Sequence, residues 1–299
     1  VKGKLLPRYP IYIPSKGRHD ACLTAKFLDR DGVPFKLVVE PQEAGLYAGA
    51  FGADRLLVLP FSNLGQGSIP ARNWIKDHAA EGGHERHWQL DDNIRQIRRW
   101  WKQKKVPCDA GVALAAVEDF VDRYENIAIA GLNYVMFAVS NSSGIPPFFL
   151  NAHVYSCTLV LNSIPYRWRG RYNEDTDICL QALAGGWCTI LVNAFLAEKI
   201  QTMVMKGGNT DSLYQSDGRL RMAKALERMW PGVVTVHRRF RRPQHHIFDE
   251  WRRFDTPLKL KPGLDLGSIG PNDYGLALRA VKPIKSKRLR RLFKKEVGG

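Results

Sequence analysis

The sequence predicts an α/β protein, and two observations carry that expectation. Short apolar runs of strand length alternate with stretches of helical periodicity through most of the chain. Hydrophobic residues fill 44% of the 299 positions and aromatics 10%, enough for a packed core, which excludes a disordered or collagen-like chain. No apolar run is long enough to cross a bilayer, and the basic stretch Val1 to Pro10 lacks the apolar segment of a secretory signal, so a soluble protein is expected.

The elements follow in order. IYIP, closing at Pro14, reads as a first strand, and a loop and helix are expected within SKGRHDACLTAKFLDRDG. PFKLVVE and RLLVLPF read as the second and third strands. Ser68 is placed to cap a helix through Ala80 that carries Pro70 in its first turn, where a missing N–H costs nothing. HWQLDDNI (His87 to Ile94) reads as a strand ending in carboxylates. Beyond it come a helix (Val112 to Tyr124), a strand in NIAIAGLNYVMFAV and a strand in HVYSCTLVLNSI. Asn173 to Ala184 is a helix stopped by Gly185–Gly186, and WCTILVNAFLAEKI is strand-like. Asp217 is placed to cap a last helix through Trp230. From about Pro262 the chain is Pro/Gly-punctuated and then basic, so the expected division is a domain over 1–260 and a basic extension over 261–299.

Charge narrows the partners. The chain carries 45 Lys plus Arg against 29 Asp plus Glu, a net charge of +16. Arg95, Arg98, Arg99, Lys102, Lys104 and Lys105 surround Trp100–Trp101; Arg238, Arg239, Arg241 and Arg242 form a second cluster; the C-terminal tail forms a third. Each cluster alone reads as a solvated face, but three together favour a polyanion such as nucleic acid, through counterion release. The five cysteines (Cys22, Cys108, Cys157, Cys179 and Cys188) lack a CxxC pair, which fits buried thiols in a reducing compartment better than a zinc or disulfide framework.

Ligands of open α/β sheets bind at the carboxyl ends of strands, and three polar segments lie there. Pro14-Ser15-Lys16-Gly17-Arg18 follows the first strand and, taken alone, is a basic turn. Asp91, Asp92 and Asn93 leave an apolar strand together; such an oxygen-rich set suits a hard divalent cation, or else marks a polar strand-to-loop junction. Glu174, Asp175 and Asp177 open a helix, where the macrodipole favours carboxylates whatever their role. Two lookalikes fall away. Pro70 occupies the third-glycine place of a dinucleotide fingerprint at Gly65-Gln66-Gly67, and the histidines of His84-Glu85-Arg86-His87 are too close for HExxH.

The ordered set IPSKGR, VVEPQE, ARN, WQLDDNI, NEDTD, KGGNT and HH resembles the TET-associated glycosyltransferases of bacteriophages, relatives of the glycosyltransferase-like domain of GREB-type proteins. The resemblance covers about four-fifths of the chain, leaving the basic tail outside it. It implies a GT-A (Rossmann-like) fold with a single mixed sheet flanked by helices. It also implies transfer of glucose or N-acetylglucosamine from a UDP-sugar to 5-hydroxymethylcytosine in DNA, with the following site residues. Asp91, Asp92 and Asn93 stand at the DxD position that holds Mn²⁺ or Mg²⁺, and His246 (or His245) at the imidazole that completes such a site. Pro14, Ser15, Arg18 and Glu40 would flank the nucleoside, Arg72 and Asn73 would face the diphosphate or sugar with Asp91, and Lys206 would sit on a closing loop. Asp175, with Glu174 as substitute, would be the base of an inverting transfer. Arg98, Arg99, Trp100, Trp101, Lys102, Arg238 and Arg239 would meet DNA, a Trp (Trp168 included) stacking where the target nucleotide flips out. A phage protein at work in the bacterial cytoplasm, with no membrane partner, is the setting expected. A protein or polysaccharide acceptor, or an inactive nucleic-acid-binding relative, are the alternatives.

Overall fold

The computed structural model describes residues 4–138, 145–200, 218–239, 242–247 and 253–271. Asp217, Lys206 and the basic tail beyond 271 lie outside the described residues.

The first half builds a parallel sheet. Strands β1 (Ile11–Pro14), β2 (Lys36–Val39), β3 (Leu56–Val58) and β4 (Arg86–Leu90) run parallel in the order β3-β2-β1-β4. Helices α1 (Leu23–Arg30), α2 (Ala44–Phe51) and α3 (Ile69–Glu81) connect them. β1 shows why both faces need cover: Ile11 and Ile13 enter one core cluster with Phe27 and Leu28 of α1, while Tyr12 enters another with Ile75 and Ala79 of α3. At β4 the Trp88 indole is fully buried and donates to Glu118 at 2.8 Å; that carboxylate also accepts from the backbone N–H of Arg8 at 2.7 Å, tying the segment before β1 to the core.

The second half continues the same sheet as a mixed one. After β4 come β5 (Ile94–Trp101), β6 (Lys104–Cys108), helix α4 (Ala110–Val121), β7 (Ile127–Tyr134), β8 (Phe148–Leu150) and β9 (Cys157–Leu161). Helix α5 (Glu174–Ala184), β10 (Cys188–Lys199), helix α6 (Gly218–Met229) and the hairpin β11 (Thr235–Arg239) and β12 (Arg242–His246) follow. From β4 the order runs β9-β7-β10-β5-β6; β9 is antiparallel to β4 and β7, and β10 is parallel to β7. Helix α5 packs its Ile178, Leu180 and Leu183 with Leu226 of α6 in a third core cluster. The result is the expected mixed sheet flanked by helices.

β10 is the longest strand and changes partner along its length. Its first part pairs with β7 and β8, its last part with β7 and antiparallel β5. Between Val192 and Leu196 the register with β7 shifts, because Val192 faces Leu132 and Leu196 faces the very next residue, Asn133. The bulged Asn193 is buried, and its side chain accepts from Asn133 at 2.8 Å. Residues 253–261 return to the far edge, where the Lys261 N–H donates to the Arg123 carbonyl at 2.9 Å and Leu258 packs on the core.

Four local readings need correction. The strand expected over His87–Ile94 stops at Leu90, and Asp91–Asn93 turn the chain into β5. The Arg95–Lys105 charge cluster is a β-hairpin whose two-residue turn places Lys102 (φ 46°) and Gln103 (φ 61°) in the left-handed region, the geometry that matches strand twist. Helix α2, AGLYAGAF, lacks a strong polar face and went unread. Ser68 precedes α3 but its hydroxyl does not cap the helix; it donates to Glu174 at 3.1 Å instead. Among the described residues no helix is long and apolar enough to cross a membrane.

Candidate active site

The carboxyl ends of β1, β4, β7 and β10 and the start of antiparallel β9 all open on one edge of the sheet. That edge gathers polar side chains from segments far apart in sequence. Asp91, just past β4, sits at its centre. One carboxylate oxygen accepts from Arg72 of α3 at 2.8 Å, the other from Lys199 at the end of β10, also at 2.8 Å. Lys199 donates further to Ser156 at 2.8 Å and lies 3.3 Å from the Tyr134 hydroxyl. Arg72 is completed by Gln89 at 3.2 Å and Ser68 at 3.3 Å. Burial alone would raise the Asp91 pKa, but Lys199 and Arg72 hold it well below the usual carboxylate range. Burial alone would lower Lys199, but the Asp91 charge outweighs it and pushes the ammonium up.

Asp92 points the other way. It is buried, accepts from Ser15 at 2.8 Å and pairs with Arg18; burial, more than these partners offset, raises its pKa. Ser15 also meets Tyr47 of α2 at 2.7 Å, and Tyr47 accepts from the Arg18 N–H at 3.0 Å. Pro14 ends β1 beside them. Glu40, past β2, receives Lys16 at 2.6 Å and the Asn63 N–H at 3.2 Å; burial would raise it, yet Lys16 and Gln42 bring it below its ordinary value. Pro14, Ser15, Arg18 and Glu40 thus share the first-half end of the edge. Asn73 does not join them. Its amide is spent holding Trp168, donating to the Trp168 carbonyl at 2.8 Å and accepting from its N–H at 3.0 Å.

The acidic segment before and in α5 separates into two roles. Asn173 has φ 54°, and this left-handed residue turns Glu174 and Asp175 toward the edge. Glu174 lies 3.9 Å from Arg72, and burial and the neighbouring Asp175 raise its pKa. Asp175 is 3.4 Å from His153; burial opposes ionisation, but His153 and the Thr176 N–H bring its pKa down to about 2. Asp177 faces inward, fully buried, and takes Arg169 at 3.0 Å, Trp230 at 2.7 Å and Gln181 at 2.7 Å.

His245 and His246 lie on β12. Burial first, and then His153, brings His245 down to about 4, so it stands within electrostatic reach of His153 and Asp175. The His246 ring instead meets His237 edge-on at 5.0 Å. Among the described residues no three His, Cys, Asp or Glu side chains gather as a cation cage. The donor chemistry of the Asp91–Asn93 turn points the same way. Asp91 already holds two cations, Asp92 holds a third on the opposite side, and Asn93 is neutral. As arranged, these residues do not fit a resident divalent cation.

The hairpin leaves this edge at Ile94, which pairs with Lys199, and runs back along β10, so that its tip lies away from the edge. Arg98 pairs with Glu198 of β10 and, with Lys105, Tyr134, Met136 and Lys199, lines an open cleft. Trp100 is half-buried, whereas Trp101 is 50% exposed at the tip, with the Arg99 guanidinium 4.7 Å from its ring centre and Lys102 at 5.7 Å. Arg238 is exposed on β11, which belongs with β12 to a separate two-stranded sheet; the Arg239 side chain lies outside the described residues. Trp168 is buried in the core cluster of α5, so it is a packing residue and not a stacking surface.

The family model for TET-associated glycosyltransferases matches residues 9–208, a span that contains every residue of the edge. The chain belongs to that family. It is therefore a glycosyltransferase, using a nucleotide-sugar donor and an acceptor. No curated protein matches it in sequence. A crystal structure of a provisionally assigned nucleotide-diphospho-sugar transferase from Desulfovibrio desulfuricans G20 overlaps it at 9% identity and a TM-score of 0.33, over 59% of this chain and 77% of that one. So distant a likeness bears no functional argument.

Sequence reasoning missed Lys199, Ser156, Tyr134 and His153. Lys199 carried a usable signal, since a lone lysine ending an apolar strand falls at the ligand-binding end of the sheet. Ser156, Tyr134 and His153 carried none, because only the antiparallel placement of β9 against β4 and β7 brings them to Asp91 and Asp175.

Proposed function

We propose that this glycosyltransferase moves a hexosyl group, glucose or N-acetylglucosamine, from a UDP-sugar to the hydroxymethyl oxygen of 5-hydroxymethylcytosine in DNA, in the cytoplasm of a phage-infected bacterium. The observation that carries the reading is the convergence of Arg72, Asp91 and the Glu174–Asp175 pair on one edge, next to the open cleft that Lys199 shares with Arg98 and Lys105 of the basic hairpin. A neutral or basic acceptor gives no reason for an exposed Trp101 flanked by Arg99 and Lys102; a polyanion with stackable bases does.

In this reading Pro14, Ser15, Arg18 and Glu40 hold the nucleoside, and Arg72 faces the diphosphate. A flipped cytosine enters by the cleft under the hairpin. The acceptor oxygen attacks the anomeric carbon from the side opposite the leaving group; the new C–O bond forms as the bond to the diphosphate breaks, and UDP leaves. Asp175 takes the hydroxyl proton. Its low pKa makes it a modest base, sufficient because the hydroxyl becomes more acidic as the C–O bond forms. Glu174 is the less suited of the two, being held by Ser68 and close to Arg72.

The test is nucleoside mass spectrometry after incubation of the protein with UDP-glucose or UDP-N-acetylglucosamine and DNA with or without 5-hydroxymethylcytosine. A hexose or N-acetylhexosamine mass on the modified base alone is expected. UDP release without added mass on either DNA would remove DNA as the acceptor.

A further inference from the structure

Lys199 has no role in the nucleotide-sugar reading, yet Asp91, Ser156 and Tyr134 hold its ammonium at the centre of the site. We propose that the Lys199 ammonium, seconded by Arg72, binds the donor diphosphate and balances the charge that develops on the departing nucleoside diphosphate, so that transfer runs without a divalent metal. The inference rests on the nucleotide-sugar reading of this edge and extends it.

Three observations carry it. First, the place a DxD cation would take is already filled by cations of the chain itself. Each oxygen of Asp91 receives a cation at 2.8 Å, and Asp92 is 8% exposed and turned onto Arg18. Arg18, Arg72 and Lys199 set three positive charges against the two carboxylates of Asp91 and Asp92, which are thereby already neutralised. A hard dication needs an excess of anionic oxygen, whereas a diphosphate needs what is present here.

Second, Lys199 is fixed where a phosphate can reach it. Asp91 and Ser156 take two of its three N–H groups at 2.8 Å, and the third has only Tyr134 at 3.3 Å. Its side chain is 12% exposed, and that remaining surface opens into the cleft with Arg98 and Lys105. Third, the backbone cannot carry the ammonium away, since the end of β10 is paired to β5 through Lys199 itself and to β7 through Ala197. A preorganised cation in a half-buried site stabilises developing anionic charge without reorganising during the reaction.

The experiment is calorimetric titration of UDP into the full chain, in EDTA and in Mn²⁺, with single-turnover transfer measured under the same conditions. UDP is expected to bind equally in both, and transfer to persist in EDTA. Lys199→Met is expected to weaken UDP binding at least tenfold and to slow transfer by about 10²- to 10³-fold, the loss seen on removing one such donor. Lys199→Arg, which keeps the charge, should recover part of both; it also serves if the Met variant fails to fold. Loss of UDP binding in EDTA with recovery in Mn²⁺ would overturn the proposal, as would wild-type UDP affinity in folded Lys199→Met. UDP binding with no sugar on DNA would leave it standing and remove only the acceptor. Absence of UDP binding under every condition would remove the donor reading and this inference together.

Discussion

Asp175→Asn is the sharpest test of the chemistry, because the structure separates its catalytic from its structural cost. Asparagine keeps the shape and can still accept from the Thr176 N–H, which lies 2.7 Å from Asp175. What it loses is its negative charge beside the His153 imidazole at 3.4 Å, between side chains 38% and 28% exposed. A pair so open to water contributes less than about 1 kcal/mol, so the variant should melt within a few degrees of wild type. Removal of a general base costs about 10²- to 10⁴-fold in rate, or roughly 3 to 5 kcal/mol in the barrier. UDP affinity should hold, since Arg72 and Asp91 are untouched. The assay is single-turnover transfer to 5-hydroxymethylcytosine DNA, with UDP calorimetry on the same preparation. A rate within tenfold of wild type, or loss of UDP binding in step with rate, would refute the role of Asp175. Because its pKa lies at about 2, Asp175 stays ionised through the working range and should put no acid limb on the rate above pH 4.

Asp177→Ala should cost about 1 to 3 kcal/mol in urea unfolding, for it leaves the Trp230 indole N–H without its partner, while the half-exposed Arg169 can turn to water. His87 is fully buried, and burial lowers its pKa from 6.5 to about 4. Its stabilising contribution is therefore complete above pH 6.5 and falls as pH drops toward 4, by about 1.4 kcal/mol per pH unit. His87→Gln should flatten that part of the stability profile measured by thermal melting, leaving a residual slope from His245. Replacing Arg99 and Lys102 by Ala should lower DNA affinity and reduce the salt slope by about 0.9 for each phosphate no longer neutralised. Trp101→Ala should weaken DNA binding by about 1 to 3 kcal/mol with UDP binding unchanged, as read by fluorescence titration.

The parallel half was legible because its strands are buried on both faces and punctuated by turns, and the carboxyl-end rule then located Ser15, Arg18, Asp91 and Asp175 together. Adjacent carboxylates were harder. Spacing offers Asp91 and Asp92 as a pair, but successive side chains leave a strand end in opposite directions, and each found its own cations. Lys199 was hidden for a different reason: nothing local ties it to Asp91, over a hundred residues earlier, until β10 is seen to end at the same edge. The hairpin was read as charge and not as structure, since its alternation is carried by arginines and tryptophans instead of a clean apolar face.

The bulge in β10 has a consequence for how this chain tolerates insertions and deletions. Three residues, Asn193, Ala194 and Phe195, are taken up between two consecutive rungs of the ladder with β7. At about 3.3 Å per residue, straightening them would push Lys199 roughly 10 Å beyond Asp91. An odd number also exchanges the two faces of everything downstream. The bulge therefore acts as a ruler for the strand, and loss of one residue from it should damage the site more than loss of several from an outer loop.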